Sequence, residues 1–195
     1  MYIGHRKNDG AIQPLKEHLL DVAELAGEFA KRFGAENHAK QIGVLHDAGK
    51  YSRAAQRRMA DPEHTPKVDH STAGAVIAWN RCKDGSAAIA IAGHHGGMPD
   101  LGSRKVASEG DGTLYGRMYK DLSGNLDYST FWQENNIDQS MLMPQWTMKT
   151  TFAPQFYTRM LFSCLVDADF LDTERFIQGE MPRGGYDGMD VLHNK

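Results

Sequence analysis

The sequence has few cysteines and no long hydrophobic run. Its two cysteines, Cys82 and Cys164, stand alone inside apolar segments. This placement favours small core residues in a reducing compartment over a disulfide or a zinc knuckle. No stretch approaches the roughly 18 apolar residues of a membrane span, and the first residues lack the apolar core of a signal peptide. These absences predict a cytoplasmic protein that does not bind a membrane.

The sequence also lacks an excess of positive charge. Its formal net charge is −3 and its pI is about 6.3, so it shows no basic footprint of a protein that binds nucleic acid tightly by itself. A nucleic-acid substrate is still compatible with this charge, because bound divalent cations would add positive charge at the point of contact. The length of 195 residues is typical of one globular domain.

Hydrophobic periodicity predicts an all-α fold with about five core helices. The predicted helices are approximately Pro14–Phe33, Glu36–Asp47, Asp69–Trp79, Ser86–Ala92 and Pro154–Ile177. A short basic helix capped by Ser52 is expected after the second of these, and it carries Arg53, Arg57 and Arg58. Such a charge cluster is most often a solvated face, although a contact with phosphate is also compatible with its position.

The remaining segments show weak periodicity. We expect a loop-rich flap or insertion at about 98–153, with short helical pieces near 114–122, 128–134 and 139–143. In the polar N-terminal segment, His5, Arg6 and Lys7 are expected to be exposed or docked on a partner. The tail at about 179–195 is expected to be a linker, so the whole of 1–195 is predicted to be one domain.

The first candidate site residues are His46 and Asp47, which stand side by side just before Gly49 and Lys50. Adjacent residues on a helix point about 100° apart, so packing rarely favours two polar side chains there. A metal ion that takes one ligand from each residue would explain the pair. The alternative is an ordinary helix end, with glycine at the cap and Lys50 near the last carbonyls.

Other histidines follow the same pattern. The protein has nine, and each candidate lies at a predicted helix end or on a buried helix face. His18 lies on the buried side of the first helix, His70 opens the third, and His94 and His95 close a buried helix before a glycine loop. Taken singly, each is also compatible with a core histidine or a substitute helix cap.

Two acidic residues interrupt the apolar face of the last predicted helix. Asp167 and Asp169 lie among apolar neighbours, where a carboxylate needs a partner or a cation. We take Asp169 as the candidate metal ligand and Asp167 as its rival. Asp172, Glu174 and Arg175 are assigned to the surface.

Together these side chains suit two metal ions. They are too many for one catalytic ion that keeps an open position, but they suffice for two ions about 4 Å apart that share a carboxylate. Their nitrogen content favours Mn, Fe, Co or Ni, with Zn also compatible, over Mg, which prefers oxygen ligands. The candidates are His18, His46, Asp47, His70, His94, His95 and Asp169.

The order of these motifs resembles the HD metal-dependent phosphohydrolase superfamily. It is more closely similar to the HD nuclease domain of the CRISPR-associated helicase-nucleases of type I systems. The resemblance covers nearly the whole chain, except for a vague region from about Gly102 to Pro154. The segments that carry it are Leu15–His18, His46–Lys50, Asp69–Ala75, Gly93–Gly97 and Leu165–Thr173.

The resemblance implies a ligand set, an activity and partners. One ion would be held by His18, His46, Asp47 and Asp169, and the other by Asp47, His70, His94 and His95. The implied activity is metal-dependent hydrolysis of single-stranded DNA in CRISPR interference. The implied partners are a superfamily 2 helicase, fused or separate, and an RNA-guided surveillance complex.

Asp47 and Lys50 are the catalytic candidates. Asp47 would bridge the two ions, which activate water for attack on a phosphodiester and neutralise the charge that develops on it. Lys50, at most one turn beyond the ligand pair, can contact the scissile phosphate or steady the nucleophile. Its alternative role is that of a helix C-terminal lysine.

Two other functions stay open at the level of sequence. A phosphohydrolase of the same superfamily that acts on a nucleotide or cyclic nucleotide would need a closed pocket with base and sugar contacts, whereas a nuclease needs an open groove. A metal-stabilised docking module without turnover would keep its biological role after Asp47 is replaced, provided that the fold survives.

Overall fold

The computed structural model describes residues 1–108, 111–138 and 143–181. Within these ranges the chain is mainly helical, with one two-stranded sheet, and the prediction of an all-α fold is confirmed. The elements are β1 Ile3–Arg6, β2 Ile12–Pro14, α1 Leu15–Ala30, α2 Glu36–Leu45, α3 Arg53–Ala60, α4 Ser71–Asn80, α5 Gly85–Gly93, α6 Leu114–Arg117, α7 Phe131–Glu134 and α8 Ala153–Gln178. Short 3₁₀ turns occur at Lys31–Phe33, Ala48–Tyr51, Gly124–Leu126 and Gln145–Met148. In this part of the chain, no helix combines the length and the apolar character needed to cross a membrane.

The five predicted core helices are α1, α2, α4, α5 and α8. Helix α1 packs against α2 and α8, and α5 packs against α4 and α8. Their facing sides are filled by apolar residues that are almost completely buried: Leu15, Leu19, Ile42, Leu45, Ile77, Ile91, Leu161 and Leu165. Both cysteines are buried and unpaired, as predicted. The Ser52 hydroxyl accepts a hydrogen bond from the Ala55 amide at 3.2 Å and so starts α3 as predicted.

The N-terminal segment forms a hairpin that the sequence analysis did not predict. Strands β1 and β2 are antiparallel, with His5 opposite Gln13. Gln56 on α3 fastens the hairpin, because its side chain accepts from the Ile3 amide at 2.8 Å and donates to the Ile3 carbonyl at 3.1 Å. The expectation that His5 is exposed is therefore wrong, since the hairpin holds it half-buried within the domain. That this segment docks on a partner stays a prediction.

The loop-rich insertion is anchored in the core by a few buried side chains. Leu114 on α6, Phe131 on α7 and Ile137 are all buried against the helical core. Helix α6 is shorter than the predicted piece at 114–122, because it ends at Arg117. Most of the predicted piece at 139–143 and most of the predicted linker at about 179–195 lie outside the described residues.

Two glycines allow the start of α4 to approach the end of α2. A Cβ atom on Gly74 would lie 2.1 Å from the Leu45 carbonyl oxygen, and one on Gly49 would lie 2.3 Å from the His70 carbonyl oxygen. The Gly49 amide donates to that same His70 carbonyl at 3.1 Å. No other residue fits at these positions without a backbone shift. This contact brings His70 next to the segment that follows α2.

We predict that Gly74→Ala lowers the free energy of unfolding by about 1–3 kcal/mol, because the added methyl group overpacks the contact between α4 and α2. Thermal denaturation measures the effect. The matched control is Gly96→Ala, where a Cβ would meet no atom within 4 Å. Equal stability of the two variants would contradict this account of the contact.

Candidate metal centre

The site lies where three helix ends meet the sides of two other helices. His46 and Asp47 follow α2, His70 precedes α4, and His94 and His95 follow α5. Helix α1 contributes His18 and α8 contributes Asp169. The structure thus brings all seven predicted ligands together, and their binding of metal stays a prediction.

Asp47 occupies the middle of the cluster, and its side chain is 1% exposed. Its Oδ2 atom lies 3.5 Å from Nε2 of His18 and 3.4 Å from Nε2 of His46. Its Oδ1 atom lies 3.3 Å from Nε2 of His70 and 3.5 Å from Nε2 of His94. The two oxygens of one carboxylate therefore face two separate groups of imidazoles.

Asp169 completes the first group. Its Oδ1 atom lies 3.4 Å from Nε2 of His18 and 3.6 Å from Nε2 of His46. Asp167 is exposed on another face of α8, where it lines a surface cavity with Phe29. The geometry therefore favours Asp169 over Asp167 as the acidic ligand from this helix.

The second group opens to solvent. Nε2 of His95 lies 2.7 Å from Nε2 of His70, and His95 is exposed. The ligand atoms of Asp47, His70, His94 and His95 all lie within 4.8 Å of one another. A substrate can therefore approach this group more easily than the buried His18 and His46.

Backbone carbonyls orient three of the imidazoles. Because a carbonyl only accepts, each Nδ1 must carry the hydrogen, and Nε2 is left to take either a proton or a metal ion. The acceptors are the carbonyls of Gly43 for His46 (2.6 Å), Ile91 for His94 (2.7 Å) and Val68 for His70 (3.1 Å). His70 does not cap α4, because Asp69 accepts the Thr72 amide at 3.1 Å instead.

Among the described residues, the inward-facing atoms of this cluster lack hydrogen-bond partners. Both oxygens of Asp47 and the Nε2 atoms of His18, His46 and His94 are buried without one. Each unmet buried polar atom costs about 1–3 kcal/mol. Divalent ions would satisfy all of these atoms at once, so the cluster fits a metal centre.

Lys50 supplies the nearest positive charge. It is 5% exposed, and its Nζ lies 2.6 Å from Oδ2 of Asp47 as an ion pair that lacks hydrogen-bond geometry. The ammonium also donates to the Gly4 carbonyl at 3.2 Å. Lys50 is thus held between the hairpin and Asp47, and it reaches the wall of an adjacent cavity.

The carboxylates shift the pKa values of the buried imidazoles. Burial lowers the pKa of His18, but the neighbouring carboxylates of Asp169, Asp172 and Asp47 outweigh this effect and raise the pKa to about 9. For His46, burial also lowers the pKa, but Asp47 and Asp169 raise it to about 10. This side of the site therefore attracts cations, and a metal ion competes there with protons.

On the open side of the cluster, the pKa values of His95 and His70 are lowered instead of raised. Burial and the neighbouring His94 lower the pKa of His95 to about 4, although Asp47 opposes the shift. Burial also lowers the pKa of His70. Both imidazoles are therefore neutral at pH 7 and can act as ligands without losing a proton.

Asp172 was assigned to the surface from the sequence, and this assignment is wrong. The residue is completely buried beneath His18. Its Oδ2 atom accepts hydrogen bonds from Nδ1 of His18 and from Nε2 of Gln13, both at 2.7 Å, and its Oδ1 accepts from Arg175 at 2.7 Å. This carboxylate orients His18, as the carbonyls orient the other imidazoles.

His5 is the other neighbour that the sequence analysis missed. Its ring lies edge-on to that of His18, with 4.4 Å between the centroids. Its Nδ1 pairs with Oε1 of Gln13 at 2.9 Å, and its Nε2 lies 3.5 Å from Nζ of Lys50. Burial and Lys50 lower the pKa of His5 to about 4, so the imidazole is neutral at pH 7.

A cavity of about 750 Å³ adjoins the open side of the cluster. His70 and His95 lie in its wall, whereas His18 and His46 do not. The other charged side chains in the wall are Lys50, Arg58, Lys67, Arg117, Lys120, Asp69 and Asp111. Cations outnumber carboxylates here, which suits an anionic substrate.

The fold and the site define a helical domain built around a buried histidine–aspartate cluster that can hold metal ions. The sequence profile of the HD domain family matches residues 15–123, which is more than half of the chain. The chain therefore belongs to the HD domain family, whose members are typically metal-dependent hydrolases. The match includes the six candidate ligands up to His95 and ends before α8, which carries Asp169. Comparison with curated proteins gives no match.

Metal affinity is predicted to rise with pH. The raised pKa values keep His18 and His46 protonated at neutral pH in the metal-free protein, and a protonated nitrogen cannot bind an ion. We expect Mn²⁺ to bind more tightly at about pH 8 than at about pH 6, with release of protons. Calorimetric titration in buffers of different ionisation enthalpy measures both effects. Affinity that does not change with pH would contradict this prediction.

We also predict that Asp172→Asn weakens Mn²⁺ binding by about 10- to 100-fold, because His18 loses the carboxylate that orients it. Calorimetric titration of each variant gives the dissociation constants. Asp167→Asn is the matched control, since it makes the same change on the exposed face of the same helix. Equal metal affinity of the two variants would show that Asp172 does not support the centre.

Proposed function

We propose that this domain is a metal-dependent nuclease that hydrolyses single-stranded DNA in CRISPR interference. The observation that carries the proposal is the position of Asp47, whose two oxygens face two separate groups of imidazoles. Such an arrangement suits a pair of ions bridged by one carboxylate, as in phosphatases and nucleases. Membership of the HD family supports the coarser part of the proposal, a metal-dependent phosphohydrolase.

The ligand assignment follows the two groups. His18, His46 and Asp169 would hold one ion, His70, His94 and His95 the other, and Asp47 both. Five imidazoles favour transition ions such as Mn, Fe, Co or Ni, with Zn next and Mg last. When bound, two such ions make water more acidic and neutralise charge that develops on a phosphoryl group.

The protein's own side chains prepare the site for that chemistry. Lys50 and the imidazoles keep Asp47 ionised by lowering its pKa well below the ordinary value, against the effect of burial. Asp172 and the backbone carbonyls hold four of the five imidazoles, all except His95, in one orientation. Because Lys50 also reaches the cavity wall, its ammonium can contact a phosphoryl oxygen there.

The form of the adjacent cavity supports a polymeric substrate over a free nucleotide. It is open to solvent beside the exposed His95, and the charged side chains in its wall are mainly cationic. A pocket for a single nucleotide would be expected to enclose a base and a sugar. An open cationic groove instead suits a strand that passes through it.

The partners are part of the proposal. A net charge of −3 leaves the domain with little general attraction for DNA, so substrate capture would depend on other surfaces. A superfamily 2 helicase, fused or separate, would deliver single-stranded DNA, and an RNA-guided surveillance complex would recruit the pair. The order of the motifs supports these partners.

We predict that the protein cleaves single-stranded DNA with Mn²⁺, Co²⁺ or Ni²⁺ and is less active on duplex DNA or free nucleotides. Asp47→Asn should reduce cleavage by more than about 100-fold. Asp47 would bind both ions directly, and replacing a residue that only orients a metal ligand already reduces activity by about 10- to 100-fold. Gel assays on labelled oligonucleotides measure both results.

The control for this experiment is Asp167→Asn, which removes an exposed carboxylate and should leave cleavage unchanged. Circular dichroism shows whether Asp47→Asn is folded. Absence of cleavage with every transition ion would contradict the nuclease proposal. Hydrolysis of nucleotides or cyclic nucleotides without cleavage of DNA would favour the small-molecule phosphohydrolase.

A further inference from the structure

We propose that Arg58 and Lys67 form a subsite for a phosphate group next to the scissile one, so that the enzyme selects a polynucleotide over a nucleotide. The inference rests on the proposed function, because it assumes that a phosphodiester binds at the metal centre. Arg58 and Lys67 would bind the neighbouring phosphate, and both line the cavity on the open side of the centre.

The first observation is the shared wall. Arg58 on α3 and Lys67 in the loop before α4 line the same cavity as His70 and His95. Of the candidate ligands, the cavity touches His70 and His95 of the open group, so a strand bound in the cavity reaches the centre along this wall. A polyanion with one phosphate at the ligands would place its next phosphates along the cavity.

The second observation is that both of these cations lack a carboxylate partner among the described residues. The Arg58 guanidinium donates to two backbone carbonyls, those of Pro62 and Thr65, and its charge is not neutralised by them. Lys67 is exposed and takes part in none of the ion pairs in the described part of the chain. Both charges are therefore available to an anion.

Two other cations in the cavity wall are already paired with a carboxylate. Lys120 lies 2.9 Å from Oδ2 of Asp69, and Arg117 lies 3.8 Å from the same atom. Arg117 also donates to the hydroxyls of Ser71 and Thr72, each at 3.2 Å. These cations are already engaged in fastening α6 to the start of α4. Among the cations in this wall, Arg58 and Lys67 are consequently the two without a carboxylate partner in the described part of the chain.

Arg58 itself holds the loop that connects it to Lys67. Arg58 binds the carbonyls of Pro62 and Thr65, which places the segment that leads to Lys67 against α3. A guanidinium with its carbonyl contacts in place still has N–H groups for a phosphate oxygen. Lys67 adds a flexible ammonium to the wall of the same cavity.

The test compares an oligonucleotide with a small phosphodiester that has no neighbouring phosphate. We measure the binding of a labelled thymidine oligonucleotide of about 12 nucleotides by fluorescence anisotropy in chelator, at several salt concentrations. With Mn²⁺ we measure the KM for cleavage of the same oligonucleotide and the turnover of bis(4-nitrophenyl) phosphate. The variants are Lys67→Gln alone and the Arg58→Gln/Lys67→Gln pair.

We expect each lost contact to weaken oligonucleotide binding about fivefold near 0.1 M salt and to reduce the salt slope by about 0.7. The KM for the oligonucleotide should rise in parallel, while turnover of bis(4-nitrophenyl) phosphate and Mn²⁺ affinity stay unchanged. The Lys16→Gln/Arg53→Gln pair, which removes the same charge from exposed positions on α1 and α3, should behave as the wild type.

Three results would overturn the subsite. They are unchanged oligonucleotide affinity in the variants, an equal loss in the Lys16→Gln/Arg53→Gln pair, and a loss of bis(4-nitrophenyl) phosphate turnover in Lys67→Gln. The proposed function fails separately, if the wild type hydrolyses no phosphodiester with any metal. A salt-dependent loss of binding in the variants would support the subsite even then.

Discussion

The structure depends on one buried carboxylate whose two oxygens have no hydrogen-bond partner among the described residues. Asp47 lies at the centre of the domain, surrounded by imidazoles, and the nearby ammonium of Lys50 is its closest positive charge. A carboxylate in such surroundings is stable only if cations offset its loss of hydration. The helix ends are arranged so that the Nε2 atoms of His46, His70 and His94, which can bind metal ions, face it. Buried polar atoms without partners reduce the stability of a core, but the same atoms can bind metal ions.

Local chemistry holds the ligands in this arrangement. Gly74 and Gly49 let the start of α4 approach the segment after α2, which places His70 beside Asp47. Each helix end then provides a carbonyl that fixes its own histidine. Asp172 performs the same task for His18, which lies in the first turn of α1 and whose Nδ1 donates to this carboxylate instead of to a carbonyl. The same elements that form the core therefore also orient the centre.

The five core helices and the seven candidate ligands could be predicted from the sequence. Apolar spacing marks the helices, and most of the candidate histidines lie at helix ends. Asp172 was missed because it stands beside charged residues, although Leu165, Ala168 and Asp172 have the spacing of one buried face. The hairpin was missed because its strands are short and polar, and its pairing depends on Gln56, far away in sequence. His5 could be placed only once that hairpin was known.

The central claim is that Asp47 bridges two metal ions. Crystals grown with Mn²⁺ and measured on both sides of the manganese absorption edge locate the ions directly by anomalous scattering. The account predicts two manganese peaks about 4 Å apart, each next to a different oxygen of Asp47. A single peak, or two peaks that do not share this carboxylate, would contradict it.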